Sequence, residues 1–262
     1  MNPLFFISDI GRSIIAFLAS LGSGAIVLKE AMQGVFITNA RVRGRIIAQM
    51  ALVGIESLPI VLITLLFGGM VLGLHTAKQM VSLGAGNWVG SVVALSMARE
   101  VAPTFTGIVV AARIGSAFAA ELGSMKITNQ VDALRALATN PIHYLVTPRL
   151  LAAAIMLPVL TMFANITGSL GGALVAISAG VSYQSFITSA QTYLEVYDIV
   201  GGLLKTVVFG IIIAITACYV GLNTEGGAAG VGRSTTSAVV WSIVLLYASN
   251  FVMSWILYAF RQ

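Results

Sequence analysis

Residues 57–77 read SLPIVLITLLFGGMVLGLHTA and contain no Asp, Glu, Lys or Arg over 21 positions. An α-helix rises about 1.5 Å per residue, so about 20 apolar residues cross the roughly 30 Å hydrocarbon layer of a membrane. This stretch therefore predicts a membrane-spanning helix. Four further uncharged intervals are similarly long, at residues 79–98, 150–194, 206–224 and 234–260.

The interval 150–194 is long enough for two spans, but its second half is polar. The polar side chains there are Ser182, Tyr183, Gln184, Ser185, Thr188 and Ser189. We therefore predict one span in this interval, near residues 152–179, and five spans in the whole chain.

The composition excludes most other classes of protein. Of the 262 residues, 58% are hydrophobic and only 9% are charged, whereas roughly 25% are charged in soluble domains. So few charges cannot cover a surface that faces water, which disfavours a soluble enzyme and a disordered chain. The net charge of +5 does not indicate nucleic-acid binding, because the basic residues are scattered and no run is denser than Arg41, Arg43 and Arg45.

A shorter uncharged interval lies near the amino terminus, at residues 13–28. Its 16 positions include Gly22, Ser23 and Gly24, and it is too short to span a membrane comfortably. We predict a helix lying in the membrane interface; an uncleaved signal sequence is the alternative. The chain then divides into an N-terminal interfacial segment, residues 1–45, and a transmembrane domain, residues 46–262.

The distribution of basic residues predicts a cytoplasmic amino terminus. With five spans, the inside segments carry ten of the 14 Lys and Arg residues and the outside segments carry three: Lys78, Lys205 and Arg261. Cytoplasmic loops of membrane proteins carry an excess of Lys and Arg. The ten on the inside are Arg12, Lys29, Arg41, Arg43, Arg45, Arg113, Lys126, Arg135, Arg149 and Arg233.

Two opposite charges, Arg99 and Glu100, lie side by side in an apolar stretch, three residues before Pro103. A lone Arg at mid-bilayer costs about 2.5–3.5 kcal/mol on insertion scales, so such a residue normally faces a cavity, a headgroup or a partner. Three interpretations are open: the span ends here and both charges reach the interface, they line a polar substrate path, or they make assembly contacts. Glu56, before Pro59, is either an interfacial residue or a third member of such a path.

The stretch from Arg113 to Arg149 contains a second candidate site, after Glu121. Thr128 is predicted to cap a short helix from Asn129 to about residue 138, and Pro141 to stop it. The apolar residues of this helix fall on one stripe. A helix of this kind lies on lipid or docks into a groove on a cytoplasmic partner. The predicted stripe is Val131, Leu134, Leu137 and Ala138.

The remaining features indicate no enzyme and no metal site. Residues 227–234, GAAGVGRS, have the spacing of a phosphate-binding loop but carry Arg233 where lysine belongs, so we interpret them as a tight turn before the last helix. No Ser-His-Asp or Cys-His arrangement stands out. His75 has no companion at metal-ligand spacing, and Cys218 is predicted to be a small buried hydrophobe. Gly168 and Gly172 predict close helix packing, within the chain or at a dimer face.

Several motifs in these regions resemble one family, the MlaE-type permeases, which are the membrane subunits of MCE-associated phospholipid ABC transporters. The resemblance covers roughly residues 45–260. Three positions depart from the usual pattern: VA at 101–102 for Leu-Gly, Ala112 for glycine, and ATN at 138–140 for Gly-Val-Asp. The matching motifs are GMVLGL at 69–74, ALSMAREVAP at 94–103, ARIGSAFAAELGSM at 112–125, QVDAL at 130–134, NP at 140–141, PRLLA at 148–152 and GVGRSTT at 230–236.

The resemblance implies an all-α integral membrane protein with five transmembrane helices, an N-terminal interfacial helix and a cytoplasmic coupling helix at about residues 121–140. It implies a homodimer that moves phospholipid, works with a separate cytoplasmic ABC ATPase subunit that binds the ATP, and meets an MCE-domain substrate-binding protein outside. The chain itself would need no cofactor. The implied membrane is the bacterial inner membrane, with the plastid inner envelope as the alternative.

The site residues follow from these two regions. Arg99, Glu100 and Glu56 are the candidates for the substrate path. The alternative functions are a stand-alone secondary transporter or channel, which would act without an ATPase, and a membrane assembly scaffold, which would leave the cavity residues freely replaceable. The candidates for ATPase coupling are Glu121, Lys126, Gln130, Asp132, Leu134 and Arg135.

Overall fold

The computed structural model describes residues 22–35 and 40–259, and these residues form helices joined by short turns, with no strand among them. Residues 13–21 of the predicted interfacial helix lie outside the described residues; residues 22–35 form the helix α1. The other helices are α2 (Ala40–Gly54), α3 (Leu58–Ser82), α4 (Val89–Ser96), α5 (Ala102–Val110), α6 (Ser116–Ile127), α7 (Gln130–Ala136), α8 (Thr147–Ser178), α9 (Tyr183–Tyr193), α10 (Val196–Leu222) and α11 (Gly227–Ala259).

Within the described residues, five helical segments are long and apolar enough to cross a membrane, which confirms the predicted all-α membrane fold. The interval 150–194 contributes one span, as predicted, and its polar second half forms the short helix α9. We number the five segments in chain order as span 1 (Val42–Ser82), span 2 (Gly86–Ile127), span 3 (Ile142–Ser178), span 4 (Val196–Leu222) and span 5 (Gly227–Leu257).

Spans 1 and 3 pack backbone to backbone through glycines. A Cβ on Gly69 would strike the carbonyl of Gly168, and a Cβ on Gly73 would lie 2.7 Å from the Cα of Gly172. Small residues allow helices this close approach where lipid offers no hydrophobic drive for association. The predicted packing role of Gly168 and Gly172 is therefore confirmed within the chain, and the alternative of a dimer face at these glycines is wrong.

Span 2 is much longer than predicted and does not end at Arg99. It continues through a π-helical turn at Met97–Val101 and a second at Ala111–Gly115 before it ends at Ile127. Pro103 has no N–H to donate to the carbonyl four residues earlier, and helices commonly adjust at such points. The interpretation that the span ends at Arg99 and Glu100 is wrong, because the helix continues on both sides of them.

Span 4 begins earlier than predicted, at Val196 rather than at residue 206. Its start is a reciprocal capping box in which the backbone N–H of Glu195 donates to the Asp198 carboxylate, at 3.2 Å. Because the helix starts here, Lys205 lies inside the span and is buried. Its assignment to an outside segment is wrong, because it lies inside span 4.

The two ends of the bundle differ in character. At one end, which we call the α9 end, α9 packs against the turn before span 2, and the rings of Trp88 and Tyr193 lie 4.9 Å apart. Aromatic side chains are typical of membrane interfaces. At the opposite end, the α7 end, a cleft of about 590 Å³ lies among α1, α7 and the end of span 4.

The short helix α7 differs from its prediction at both ends. Thr128 does not cap it, because its hydroxyl donates back to the Ser124 carbonyl at 2.8 Å. The chain turns at Asn129, which has a φ of 59°, and α7 runs only over Gln130–Ala136. Because Ala138 also has a positive φ, of 55°, the helix stops before Pro141. Of the predicted stripe, Val131 is buried, Leu134 is half-buried, and Leu137 and Ala138 are exposed.

Two further interpretations have clear outcomes. Residues 227–234 form the first turns of α11, so they are helical and not the predicted turn; the turn precedes them, where Gly226 has a φ of 84°. Cys218 is a free, buried thiol in span 4, which confirms its interpretation as a small core residue.

Candidate functional site

The first ion pair of the candidate site joins spans 2 and 4. The Arg99 Nε donates to an Asp198 carboxylate oxygen at 2.9 Å. The Asp198 side chain is fully buried, whereas the Arg99 side chain retains 32% of its exposure. Asp198 therefore does two things: it caps the start of span 4 and it holds the guanidinium of Arg99.

The second ion pair joins three spans. The Lys205 Nζ in span 4 donates to the Glu100 carboxylate in span 2 at 2.7 Å. The hydroxyl of Ser254, in span 5, accepts from Lys205 at 2.7 Å and donates to Glu100 at 2.8 Å. The amide of Asn250 donates to the other Glu100 oxygen at 2.9 Å. Glu100 thus has three hydrogen-bonding partners on spans 4 and 5.

The backbone of span 2 contributes an acceptor to this network. In a regular helix the residue at position 103 would donate its N–H to the Arg99 carbonyl, but Pro103 has none. The Lys205 Nζ donates to that carbonyl at 2.9 Å. Because Arg99 lies in the π-helical turn at Met97–Val101, the buried lysine adds a hydrogen bond to the backbone of span 2 just before Pro103.

The sequence reasoning found Arg99 and Glu100 and missed their partners. Asp198 and Lys205 were missed because we placed the start of span 4 after them. The spacing of these partners in the sequence could have indicated them. Asp198 and Lys205 are seven residues apart, and Asn250 and Ser254 are four apart, so each pair shares one face of its helix. We name these six residues, Arg99, Glu100, Asp198, Lys205, Asn250 and Ser254, the membrane charge cluster.

Glu56 lies outside the membrane charge cluster. Its carboxylate pairs with the Nη2 of Arg113 at 2.9 Å, and the Nη1 of Arg113 donates to the hydroxyl of Ser57 at 2.9 Å. These contacts join the second π-helical turn of span 2 to the break between α2 and α3. The structure thus does not bring Glu56 together with Arg99 and Glu100.

The predicted coupling residues divide into two groups at the α7 end. Glu121 belongs to span 2, where its carboxylate pairs at 2.7 Å with Arg149, whose side chain is 5% exposed. Asp132 accepts from Lys126 at 3.4 Å and from Arg135 at 3.1 Å. The first pair joins the ends of spans 2 and 3, whereas the second group forms an exposed charged surface on and beside α7.

The remaining coupling candidates, Gln130 and Leu134, lie on α7 itself. Gln130 is exposed and Leu134 is half-buried against the core beneath. Leu137 follows the helix with 75% of its surface exposed. The α7 end therefore presents an exposed apolar side chain next to charged ones, which is an arrangement typical of a docking surface.

Residues 138–140 form a turn, and their sequence, Ala-Thr-Asn, differs from the Gly-Val-Asp that is usual in the family. Ala138 has a φ of 55°, a left-handed conformation that glycine adopts without strain. The side-chain oxygen of Asn140 accepts from the Ile142 N–H at 2.8 Å, as an aspartate would. Asn140 thus makes a turn hydrogen bond that an aspartate could also accept, and it does so without a negative charge.

The sequence of residues 46–256 matches the family Permease MlaE. The chain belongs to the MlaE permease family. The match covers all five spans and both groups of candidate residues. This MlaE permease is therefore the membrane subunit of an ABC transporter, a class that works with an ATPase partner.

Relatives of this MlaE permease come from bacteria and from a plant. A Synechocystis sp. protein named "Probable ABC transporter permease protein" is 45% identical over 217 residues, 82% of each chain. A Rickettsia typhi protein of the same name is 40% identical over 250 residues, 95% of this chain and 96% of the relative. The Arabidopsis thaliana protein TRIGALACTOSYLDIACYLGLYCEROL 1, chloroplastic, is 43% identical over 207 residues, 79% of this chain and 59% of the relative. Bacterial proteins and a chloroplast protein are thus similar to this chain over most of its length.

Proposed function

We propose that this MlaE permease moves phospholipids between membranes as half of a homodimer, powered by a separate ATPase. The observation that carries the proposal is the membrane charge cluster, in which Arg99 and Glu100 keep 32% and 43% of their side-chain exposure. Charged groups inside a membrane normally mark a substrate path. A zwitterionic or anionic headgroup can exchange hydrogen bonds with a cation and a carboxylate, while apolar walls accept the acyl chains.

The exposed face of span 5 supports the homodimer. Only 11% of the residues in its apolar 18-residue stretch are buried within the chain, and large apolar side chains next to Asn250 and Ser254 are exposed. A second copy covering this face would place two membrane charge clusters around one cavity. Those apolar side chains are Tyr247, Phe251, Val252, Trp255 and Ile256.

The name of the Arabidopsis relative supports the substrate class. TRIGALACTOSYLDIACYLGLYCEROL 1 carries the name of a diacylglycerol lipid. A two-tailed lipid needs the same combination of apolar walls and a few polar contacts as a phospholipid. The proposal therefore extends to diacylglycerol lipids with other headgroups.

The two ends of the bundle are assigned by charge. The α7 end carries Lys126, Arg135 and Arg149 and is cytoplasmic by the excess of basic residues. The ATPase would receive α7 in a groove, as other helices are received by their partners. ATP-driven closure of the two ATPase copies would then move α7 and spans 2 and 3, to which it is attached. The α9 end faces outward, toward the MCE-domain protein.

Reversing the charge of Asp132 is expected to weaken binding of the ATPase subunit about tenfold, while the fold is kept. Asp132 is exposed and holds both Lys126 and Arg135, and exposed ion pairs contribute only about 0–1 kcal/mol to stability. Charge complementarity at a docking surface contributes more, because like charges facing each other cost several kcal/mol. Pull-down of the ATPase by Asp132→Lys permease, at several salt concentrations, measures the effect.

Lys78→Glu is the matched control for this prediction. Lys78 is exposed near the opposite end of span 1, so reversing its charge should leave ATPase binding unchanged. Undiminished pull-down by Asp132→Lys would contradict the assignment of α7 as the docking helix.

Co-purification tests the proposed function as a whole. Gentle solubilisation followed by mass spectrometry should recover the permease with an ATPase subunit and an MCE-domain protein, and with bound phospholipid. Arg99→Leu permease should recover the same proteins with less phospholipid. Recovery of the permease alone, without a nucleotide-binding partner, would instead favour a stand-alone transporter.

A further inference from the structure

One basic side chain, Arg45, differs from the others in the described residues. Six Lys and Arg residues there are buried or half-buried, and five of them have a carboxylate partner within 3.4 Å. Arg45 has none among the described residues. Burying a cation without a counter-charge is unfavourable, so a partner from beyond the described residues is expected. The five paired residues are Arg99, Arg113, Lys126, Arg149 and Lys205.

The Arg45 guanidinium is held in place by an aromatic ring. Its central carbon lies 3.5 Å from the centroid of the Tyr144 ring, and its Nη1 is buried with no hydrogen-bond acceptor in the described residues. Stacking on Tyr orients the guanidinium and covers one face of it. The Arg45 side chain is therefore positioned without being neutralised, as in a site prepared for an anion.

A second unpartnered polar atom lies one helical turn away. Gln49 is four residues after Arg45 on α2, and its buried side-chain oxygen has no donor in the described residues. Residues four apart share one face of a helix. One face of α2 thus offers a cation and a polar amide, which match a phosphate and the hydroxyl or amine of a headgroup.

The position of this pair decides between a soluble anion and a lipid. Arg45 is the fourth residue of span 1, and Tyr144 is the third residue of span 3, so both lie where spans enter the membrane at the α7 end. The membrane charge cluster joins spans 2, 4 and 5, so Arg45 belongs to a different part of the molecule. Arg43, two residues before Arg45, is exposed and lies on a different face of α2.

We propose that Arg45, Tyr144 and Gln49 form a binding site for the phosphate of an anionic phospholipid in the cytoplasmic leaflet. The site is separate from the substrate path. It rests on the orientation given under the proposed function, because that orientation places the α7 end in the leaflet that carries anionic lipid. An arginine presents a fork of donors that matches phosphate oxygens, and the Tyr144 ring covers one face of that fork.

Lipid titration followed by native mass spectrometry tests the site. The purified permease–ATPase complex is titrated with dioleoylphosphatidylglycerol, and bound lipids are counted for the wild type, Arg45→Gln and Arg43→Gln. Arg45→Gln should bind one lipid per permease chain about tenfold more weakly, as expected for loss of one charge-assisted contact. Arg43→Gln, the matched control, should bind as the wild type does. Tyr144→Leu should weaken the same binding step, and it keeps the proposal testable if Arg45→Gln folds poorly.

Four results would overturn the proposal. Equal binding by the wild type and Arg45→Gln would remove the site, and equal loss by Arg43→Gln would reduce it to general surface charge. Displacement of the lipid by inorganic phosphate would make it a site for a soluble anion. Unchanged lipid binding together with loss of the ATPase subunit would assign Arg45 to a protein carboxylate. Binding is measured without ATP, so these results stand whether or not the complex transfers lipid.

Discussion

Replacing Glu100 by glutamine is expected to destabilise the permease by about 3 kcal/mol, near the lower end of the range for breaking a buried ion pair. The Lys205 side chain is 0% exposed and would lose the Glu100 carboxylate, while the Arg99 carbonyl and the Ser254 hydroxyl stay in place as neutral acceptors. The loss is placed at the lower end because Glu100 itself is partly exposed. Thermal unfolding of the purified variant in detergent measures it.

Replacing Lys205 by methionine is expected to lower the free energy of unfolding by less than Glu100→Gln does. In Lys205→Met the Glu100 carboxylate keeps its bonds from Asn250 and Ser254 and its partial exposure. The double variant Glu100→Gln with Lys205→Met removes both charges and should recover most of the stability lost in Glu100→Gln, because no unpaired charge stays buried.

The double variant also separates stability from transport. If Glu100 lines the substrate path, the double variant should fold, bind the ATPase and transfer little phospholipid. Normal lipid transfer by a stable double variant would show that the pair only joins the spans, and would remove Glu100 from the path.

Replacing Gly69 by alanine is expected to destabilise the permease by an amount similar to that of Glu100→Gln, for a purely steric reason. The new Cβ of Gly69→Ala would strike the backbone of Gly168, and a backbone cannot rotate away as a side chain can. Spans 1 and 3 would have to separate along their contact. Overpacking typically costs about 1–3 kcal/mol, and we expect the upper end of this range.

Gly68, the residue before Gly69, provides the matched control. A Cβ at Gly68 would have no atom within 4 Å, so Gly68→Ala should be neutral or stabilising by up to about 1 kcal/mol, the difference in helix propensity. Thermal unfolding of the two variants side by side measures the contrast. Equal melting of Gly69→Ala and the wild type would contradict the close packing of spans 1 and 3.

The number of spans could be predicted from the sequence because the constraint is simple. Each span needs a long uncharged interval, and residues 57–77 or 234–260 supply one. The same rule misplaced the start of span 4, since Asp198 and Lys205 are charged and were assigned to water. Their charges are tolerated in the membrane because Arg99 and Glu100 neutralise them across the helix contact, and a single helix shows no such partner.

The course of span 2 required three-dimensional information for another reason. The two π-helical turns let one helix run from Val89 to Ile127 past Pro103 and Arg113, and no hydropathy pattern encodes a π-helical turn. The short helix α7 was predicted in position but with the wrong bounds, because the backbone reverses at Asn129 and Ala138 and neither residue is a glycine. The role of Arg45 could not be predicted from the sequence, where it is one of three closely spaced arginines. Its contact with the Tyr144 ring forms only in the folded chain.

Reconstitution into vesicles tests most directly the claim that this permease depends on an ATPase bound at α7. Donor and acceptor vesicles are prepared with labelled phospholipid, and transfer is followed with the permease alone, with the permease and its ATPase and MCE-domain partners, and with the Asp132→Lys complex. Transfer should require the complete complex and ATP, and it should fall in the Asp132→Lys complex. Transfer by the permease alone, at a rate that ATP does not change, would contradict the claim.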